Sequence, residues 1–238
     1  MIEVERLTVR FGGVTPLDAV TLTFPEGTCG LIGPNGAGKT TFLNVLSGLV
    51  RPVAGSVRAF GEDLLRITDF RRARWGLRRT FQQEQAIQRL SIFDNVGLVQ
   101  EHCGGSRGSR RRDVERALEF IGLEQLADER VGMLSARHRR LVEVARAVVG
   151  EPRVVLLDEP GAGLPDEETE HLGRVIRRIP EAFGALVVLV DHDMSLVSAC
   201  CATTAVLDFG RLIASGPTAE VLRDEQVIRA YLGTEEVA

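Results

Sequence analysis

Residues 31–42 read LIGPNGAGKTTF and contain Lys39, the only lysine among the 238 residues, although the chain carries 29 lysine and arginine side chains. Gly33 to Thr40 matches the pattern G-x-x-x-x-G-K-[ST], with a buried-strand pattern before it and a helical pattern after it. Glycines at this spacing let backbone N–H groups curl around phosphate oxygens, and the helix start adds its dipole. A compact ammonium on a flexible stem suits this position in a way that a planar guanidinium does not.

The glycine loop therefore predicts a phosphate site, in preference to a glycine-rich turn that matches by chance. Lys39 is expected to reach the β- and γ-phosphates, and the Thr40 hydroxyl to hold Mg²⁺. The residues predicted to contact the nucleotide are Gly33, Asn35, Gly36, Ala37, Gly38, Lys39, Thr40 and Thr41.

A pair of acids follows the apolar run VVLLDEP, in which Val154 to Leu157 enter the core and Asp158 and Glu159 emerge. Ligands of open α/β sheets bind at the carboxyl ends of the strands. Asp158 is therefore predicted to position Mg²⁺, directly or through water, and Glu159 to polarise the attacking water. The alternative is a pair of acids that cap the next helix.

A third apolar run, ALVVLV, ends in Asp191, His192 and Asp193. His192 is predicted to contact the γ-phosphate and orient the water, against the alternative of a structural histidine. A guanine-specific N-K-x-D motif needs a second lysine, which the sequence lacks, so GTP is not expected.

The elements that must position these residues follow from hydrophobic periodicity. Alternation over residues 2–9 and 20–24 predicts two antiparallel strands, and a further strand pair is expected around residues 55–65. The strand–helix–strand rhythm of the later apolar runs predicts a parallel sheet. We predict a nucleotide-binding core with an antiparallel β-subdomain over residues 1–84 and 154–238, and a helical subdomain over residues 85–153.

Composition excludes several classes of protein. The net charge of −4 gives no general attraction to nucleic acid or an anionic membrane, and no apolar run approaches the length of a membrane span. The four cysteines lack CxxC spacing and lie away from the four histidines, so reduced thiols are expected rather than a metal site. The N-terminus lacks a signal-peptide pattern.

The order of the motifs resembles the ATP-binding subunits of ABC transporters over essentially the whole chain: the glycine loop, RTFQ, a helical insert, LS…RRLVEVARAV, VVLLDEP and DHDM. The resemblance implies an α/β P-loop NTPase cassette with a RecA-like parallel-sheet core, an N-terminal antiparallel β-subdomain and a helical insert. It also implies ATP and Mg²⁺ as ligands.

Three further roles are implied by the resemblance alone. Gln82 of RTFQ would touch Mg²⁺ or the water and link to the membrane partner. Phe11 would stack on adenine, with a core strand aromatic as the alternative. Ser135 belongs to the loop that, in the family, grips the γ-phosphate of ATP bound to the opposite subunit.

The motifs GPNGAGKTTF, RTFQ, AGL and DHDM and the ending VIRAYLG look most like the branched-chain amino-acid importer subgroup. The implied partners are transmembrane permease subunits and a second ATPase subunit, at the cytoplasmic face of the membrane as a peripheral subunit.

The signature loop departs from the family pattern L-S-G-G-Q and reads Leu134-Ser135-Ala136-Arg137-His138. Arg137 places a large side chain where another backbone should pass, unless it reaches the phosphate itself. ATP bound to this chain is then expected to turn over against a normal partner loop, whereas ATP on the partner turns over poorly. This asymmetry favours a heterodimer with a paralogous ATPase.

The next loop also departs, since Pro165 stands where the family usually has Asp or Asn. This weakens any expectation of signalling between the sites.

Two other functions stay open. One is a regulatory subunit that binds ATP and rarely hydrolyses it, which the altered signature loop favours. The other is a nucleic-acid ATPase, suggested by the basic segments RRARWGLRR and RGSRRR. In a chain with one lysine, however, arginine clusters are interpreted as solvated faces, and no nucleic acid is expected.

Overall fold

The computed structural model describes residues 1–104, 106 and 108–232. In this part of the chain the strands are β1 (Ile2–Phe11), β2 (Val14–Phe24), β3 (Thr28–Ile32), β4 (Ala54–Ala59), β5 (Glu62–Asp63), β6 (Leu77–Arg79), β7 (Val154–Asp158), β8 (Leu186–Val190), β9 (Thr203–Asp208) and β10 (Arg211–Pro217). The α-helices are α1 (Lys39–Ser47), α2 (Asp69–Trp75), α3 (Ile92–His102), α4 (Arg110–Ile121), α5 (Ala136–Val148), α6 (Asp166–Phe183), α7 (Met194–Cys200), α8 (Thr218–Val221) and α9 (Glu225–Leu232).

The first sheet is antiparallel and has the strand order β2-β1-β4-β5. The predicted pair of N-terminal strands and the pair near residue 60 are confirmed. Alternating residues such as Ile2, Val4, Val20 and Leu22 are buried, so the sheet presents one apolar face to the core.

The second sheet has the order β10-β9-β3-β8-β7-β6 and is parallel except for β10. Every residue of β3, β7 and β8 is buried, as expected for strands covered on both faces. The carboxyl ends of these three strands therefore open onto the same edge, where the predicted site residues lie.

Seven elements that the sequence pattern did not indicate complete this arrangement: α2, β6, α7, β9, β10, α8 and α9. β6 is hidden because it has three residues, two of them arginine. The interpretation of the cluster at residues 71–79 as a solvated face is wrong, because Arg72 and Arg78 are buried. Arg72 donates to the carbonyl oxygens of Val45 and Leu46 and so satisfies the C-terminal end of α1.

The helices α3, α4 and α5 pack against one another, which confirms helical structure over the middle of the chain. Their apolar side chains belong to a cluster that continues beneath the sheet to Val155, Leu157 and Val187. The division into a core of residues 1–84 and 154–238 and a helical subdomain of residues 85–153 stays a prediction, and residues 233–238 lie outside the described residues. So do Gly105 and Arg107 at the basic segment before α4.

Within the described ranges, no helix combines the length and apolarity needed to cross a bilayer.

Candidate nucleotide-binding and catalytic site

The glycine loop lies between β3 and α1 and requires glycine at particular positions. Gly33, Gly36 and Gly38 have φ angles of 149°, 78° and 104°, which L side chains rarely adopt. A Cβ on Gly33 would lie 2.0 Å from the carbonyl oxygen of Leu207, and one on Gly38 would lie 2.3 Å from that of Pro16. The loop is therefore pressed between β9 and β2, and its backbone fills space that no side chain can share.

Lys39 is the first residue of α1, and only 8% of it is exposed. Its Nζ donates to the carbonyl oxygens of Gly33 and Pro34, at 2.9 Å for Pro34, so the ammonium curls back into the loop. Burial lowers the pKa of Lys39, while the nearby charges of Glu159 and Asp158 oppose that shift. A buried cation inside a ring of backbone groups fits a polyphosphate that replaces the carbonyl contacts.

Asp158 does not emerge from the core as the sequence pattern suggested. It is the last residue of β7, is buried, and its backbone N–H donates to the Thr80 hydroxyl at 3.1 Å. Its Oδ2 forms an ion pair with Arg79 Nη2 at 2.9 Å. The predicted metal ligand is thus held by a residue to which the sequence analysis gave no role.

Glu159 leaves the core because its backbone is left-handed, with φ of 48°. This conformation is uncommon for a residue other than glycine and clusters at functional sites. The Glu159 N–H donates to the carbonyl oxygen of Val190 at 2.7 Å, which ties the turn to the end of β8. The turn redirects the Glu159 side chain away from that of its neighbour.

The structure brings the three predicted catalytic side chains together. Gln82 Nε2 donates to Glu159 Oε2 at 2.9 Å, and His192 Nδ1 lies 3.9 Å from the same oxygen. His192 remains largely exposed, whereas Glu159 is mostly covered. A carboxylate held between an amide and an imidazole at a strand end is placed to orient a water molecule.

Asp191 is a supporting residue of this group that sequence reasoning named without a role. It is buried, which raises the pKa of its carboxyl, and it accepts hydrogen bonds from the backbone N–H groups of Gly161 and Asp193. Asp191 therefore joins the loop after Glu159 to the segment that carries His192.

Phe11 lies at the end of β1, opposite Val14, and is 53% exposed. The alternative of a core aromatic is therefore wrong. The same hairpin contacts the glycine loop through Pro16. Because the Phe11 ring is exposed, a flat ligand can stack on it.

The signature loop, Leu134–His138, lies at the N-terminus of α5. Ser135 is the N-cap, and its hydroxyl accepts from the His138 N–H at 3.3 Å. Arg137 is half-buried and lies near His171 of α6. Burial lowers the pKa of His171, and the charge of Arg137 lowers it further.

Two side chains of α5 connect the signature helix to the segment after Gln82. Glu143 Oε1 accepts from the N–H groups of Gln85 and Ala86 at 2.8 and 2.6 Å, and Arg139 forms an ion pair with Glu84 at 3.0 Å. The sequence gave no signal for these contacts, since their partners are more than fifty residues apart.

Oxygen atoms at the strand ends and at the start of α1 fit a hard cation. Thr40, Gln82 and Asp158 offer a hydroxyl, an amide and one carboxylate, which suits Mg²⁺ that takes its other ligands from phosphates and water. No group of three or more His, Cys, Asp or Glu side chains in the described part of the chain could hold a metal by itself. The cysteines of this part are free, and burial raises the pKa of Cys200 to about 12.

Comparisons with known proteins agree with this geometry. A model of the ABC transporter family matches residues 17–162, and a model of the branched-chain amino acid ATP-binding cassette transporter matches residues 211–237. The chain is 34% identical over 250 residues to the high-affinity branched-chain amino acid transport ATP-binding protein BraF of Pseudomonas aeruginosa, with 98% of each covered. It is 32% identical over 250 residues to LivG of Escherichia coli K12, with the same coverage.

Solved structures show the same architecture. The ADP conformation of MJ1267, an ATP-binding cassette of an ABC transporter, superposes with a TM-score of 0.87 at 26% identity, with 98% of each chain covered. The dimeric structure of MJ0796, a bacterial ABC transporter cassette, gives a TM-score of 0.80 at 25% identity, over 92% of this chain and 99% of the other. The predicted α/β cassette is confirmed.

Proposed function

The chain belongs to the ABC transporter family of ATPases, as an ATP-binding subunit close to branched-chain amino-acid importers, and on that premise we propose how it works. It binds ATP with Mg²⁺ and hydrolyses the ATP to energise transmembrane permease subunits. The cargo is a branched-chain amino acid or a similar small solute. The chain works at the cytoplasmic face of the membrane, as a peripheral subunit held by the permease.

One observation carries the proposal: five side chains from four separate segments of the chain lie at one edge of the parallel sheet. These residues, which we call the strand-end cluster, are Lys39, Gln82, Asp158, Glu159 and His192. ATP supplies the reactive phosphoanhydride and Mg²⁺ the charge neutralisation.

The residues of the chain then take distinct roles. Lys39 holds the phosphates, and Thr40, Gln82 and Asp158 hold the cation. Glu159 accepts a hydrogen bond from the attacking water and polarises it, while His192, 3.9 Å away, helps to fix the position of that water.

The chain acts as one half of a dimer, in which its signature loop grips the γ-phosphate of ATP bound to the second subunit, as the family resemblance implies. The dimeric structure of MJ0796 supports a paired arrangement. Arg137 and His138 replace small or neutral residues in that loop, which favours a paralogous partner over a second copy. ATP on this chain meets a normal loop from the partner, and ATP on the partner meets the altered loop.

The second candidate function is a regulatory subunit that binds ATP with little hydrolysis. The altered loop favours it, whereas the contact between Gln82 and Glu159 and the nearby His192 favour hydrolysis.

Steady-state ATP hydrolysis tests the proposal. The native chain is compared with a variant restored to L-S-G-G-Q by Ala136→Gly, Arg137→Gly and His138→Gln, with Glu159→Gln in each as the control for contaminating activity. We expect the native chain to be nearly silent alone and the restored chain to be at least about tenfold faster. Equal rates in both chains would show that the altered loop does not limit hydrolysis, and the hypothesis of an asymmetric partner would fail. No hydrolysis by either chain, with intact ATP binding, would favour the regulatory subunit.

The cargo needs the assembled transporter. Once the permease is identified, ATP-dependent uptake of labelled leucine into proteoliposomes should appear with the native chain and vanish with Glu159→Gln. Intact ATPase activity with no uptake of leucine, isoleucine or valine would exclude this cargo class.

A further inference from the structure

Arg79 and Asp158 form a buried ion pair at the centre of the proposed site. Arg79 Nη2 lies 2.9 Å from Asp158 Oδ2, and the side chains are only 5% and 6% exposed. A buried pair gives little or no net stability over an apolar pair of the same size, because both charges lose their hydration. A role beyond stability is therefore the better explanation.

The arginine is itself fixed by the helix that follows the glycine loop. Its Nη1 donates to Asn44 Oδ1 at 2.7 Å and to Ser47 Oγ at 2.9 Å, and both residues belong to α1. Its guanidinium carbon lies 4.9 Å from the centre of the Phe81 ring, immediately before Gln82. One planar group thus joins α1, β6, β7 and the segment that carries Gln82.

The two oxygens of Asp158 are in different situations. Oδ2 accepts a hydrogen bond from Arg79, whereas Oδ1 has no hydrogen bond to any described residue. Oδ1 is not one of the fully buried atoms without a partner, so it is accessible to solvent. The carboxylate is thus oriented with one oxygen occupied and the other free. A Mg²⁺ ion that takes one or two carboxylates and otherwise water and phosphates needs a single free oxygen of this kind.

We infer that Arg79 is a positioning residue that orients Asp158 for the divalent cation and couples that orientation to α1, whose first two residues are Lys39 and Thr40. The inference rests on the proposed function, since it assumes that Asp158 serves the Mg²⁺ of a bound nucleotide. Lysine should not replace the arginine, because an ammonium cannot span α1 and β7 with a planar fork.

The test compares cation binding in the native chain with that in Arg79→Gln. Affinity for a fluorescent ADP analogue is measured in EDTA and in Mg²⁺, and Mn²⁺ binding to the ADP complex is followed by electron paramagnetic resonance. We expect unchanged affinity in EDTA, an approximately tenfold weaker Mn²⁺ site, and no rescue by Arg79→Lys. Asn44→Ala, which removes one anchor and keeps the ion pair, should weaken the Mn²⁺ site about two- to threefold.

Arg78→Gln is the matched control. Arg78 precedes Arg79 in β6 and is buried, but it donates only to the carbonyl oxygens of Ala73 and Leu77. It should leave the Mn²⁺ site unchanged even where it lowers the melting temperature.

Three outcomes would overturn the inference. Unchanged Mn²⁺ affinity in folded Arg79→Gln would show that Asp158 needs no positioning, and tighter binding would show that the guanidinium competes with the cation. Equal losses in Arg78→Gln and Arg79→Gln would reduce the effect to general destabilisation. If the native chain itself shows no cation-dependent nucleotide binding, the proposed function fails as well, which separates that failure from the other three.

If Arg79→Gln does not fold, Asn44→Ala decides alone: an unchanged Mn²⁺ site in that variant would overturn the inference, and the two- to threefold loss would support it.

Discussion

The strand-end cluster and the signature loop of the same chain are built differently. Apart from the exposed His192, the side chains of the cluster are buried or bonded: Lys39 contacts the loop carbonyls, Asp158 pairs with Arg79, and Gln82 bonds to Glu159. The signature loop has an exposed Ser135, whose hydroxyl meets only its own helix, and an Arg137 with an unpartnered buried Nε.

The contrast indicates which half of the chemistry this chain completes by itself. A site whose groups already hold one another is preorganised, and binding costs it little rearrangement. A loop whose groups have no outside partner contributes only when another molecule reaches it. The cluster should therefore respond strongly to substitution in the isolated chain, and the signature loop only in a dimer.

The largest effect is expected from Glu159→Gln, because the amide cannot accept a proton from water. In the chain with the restored signature loop, kcat should fall by about 10²- to 10⁴-fold while ATP binding persists. Glu167→Gln, in the exposed first turn of α6, is the matched control and should leave kcat unchanged. A small decrease, within about threefold, would contradict the role of Glu159 as the base.

The pH dependence of nucleotide binding comes next in size. Burial holds the pKa of Lys39 in the free chain below its ordinary value of 10.5, and phosphates favour the charged ammonium. The affinity for the nucleotide should therefore be highest at neutral pH. It should fall as the pH rises through the lowered pKa of Lys39, by up to about tenfold per pH unit. Titration of a fluorescent ATP analogue from about pH 7 to about pH 10 measures the slope.

Lys39→Arg supplies the control for that titration, since a guanidinium keeps its charge throughout the range. Its affinity should be weaker at neutral pH but flat with pH. A flat profile for the native chain would mean that Lys39 does not carry the pH dependence.

Glu143→Gln tests the connection between the two regions. The variant loses the charge that accepts from the Gln85 and Ala86 N–H groups and from Arg146, so the free energy of unfolding should fall by about 1–3 kcal/mol. Urea titration measures the loss. Glu84→Gln, which removes the partly exposed ion pair with Arg139, should cost less, within about 1 kcal/mol. Equal costs would mean that Glu143 gives no special support.

The smallest effect is expected at Phe11. Removing a half-exposed ring that stacks on a base should weaken ATP binding by about 1 kcal/mol, or roughly fivefold, and Phe11→Trp should restore it. Phe70→Ala is the matched control, because Phe70 is similarly exposed but lies on α2. Equal affinity of Phe11→Ala and the native chain would leave adenine without its predicted contact.

Much of the site was predictable from sequence because its residues follow local patterns. The glycine loop must have glycine where φ is positive, and the apolar runs before Asp158 and His192 mark strands that end at one edge. Such patterns depend on neighbours within a few residues. The same reasoning predicted the antiparallel pair and the helical middle of the chain.

Arg79 could not be predicted in the same way, because its partners Asn44 and Asp158 are 35 and 79 residues away in sequence. Its strand has only three residues, two of them charged, so the sequence pattern predicted neither the strand nor the burial of Arg79. Tertiary contacts determined the environment of this arginine, and the composition of the segment indicated the opposite environment.

The single lysine has a practical consequence. An acylating reagent that selects lysine side chains has one target in this sequence, and burial that lowers the pKa of Lys39 leaves more of the amine in its reactive neutral form. Since the phosphates of a bound nucleotide would cover that amine, the mass added to the peptide that contains Lys39 would report the fraction of molecules without bound nucleotide. The composition of this chain thus supplies a label of its own nucleotide occupancy that needs no engineering.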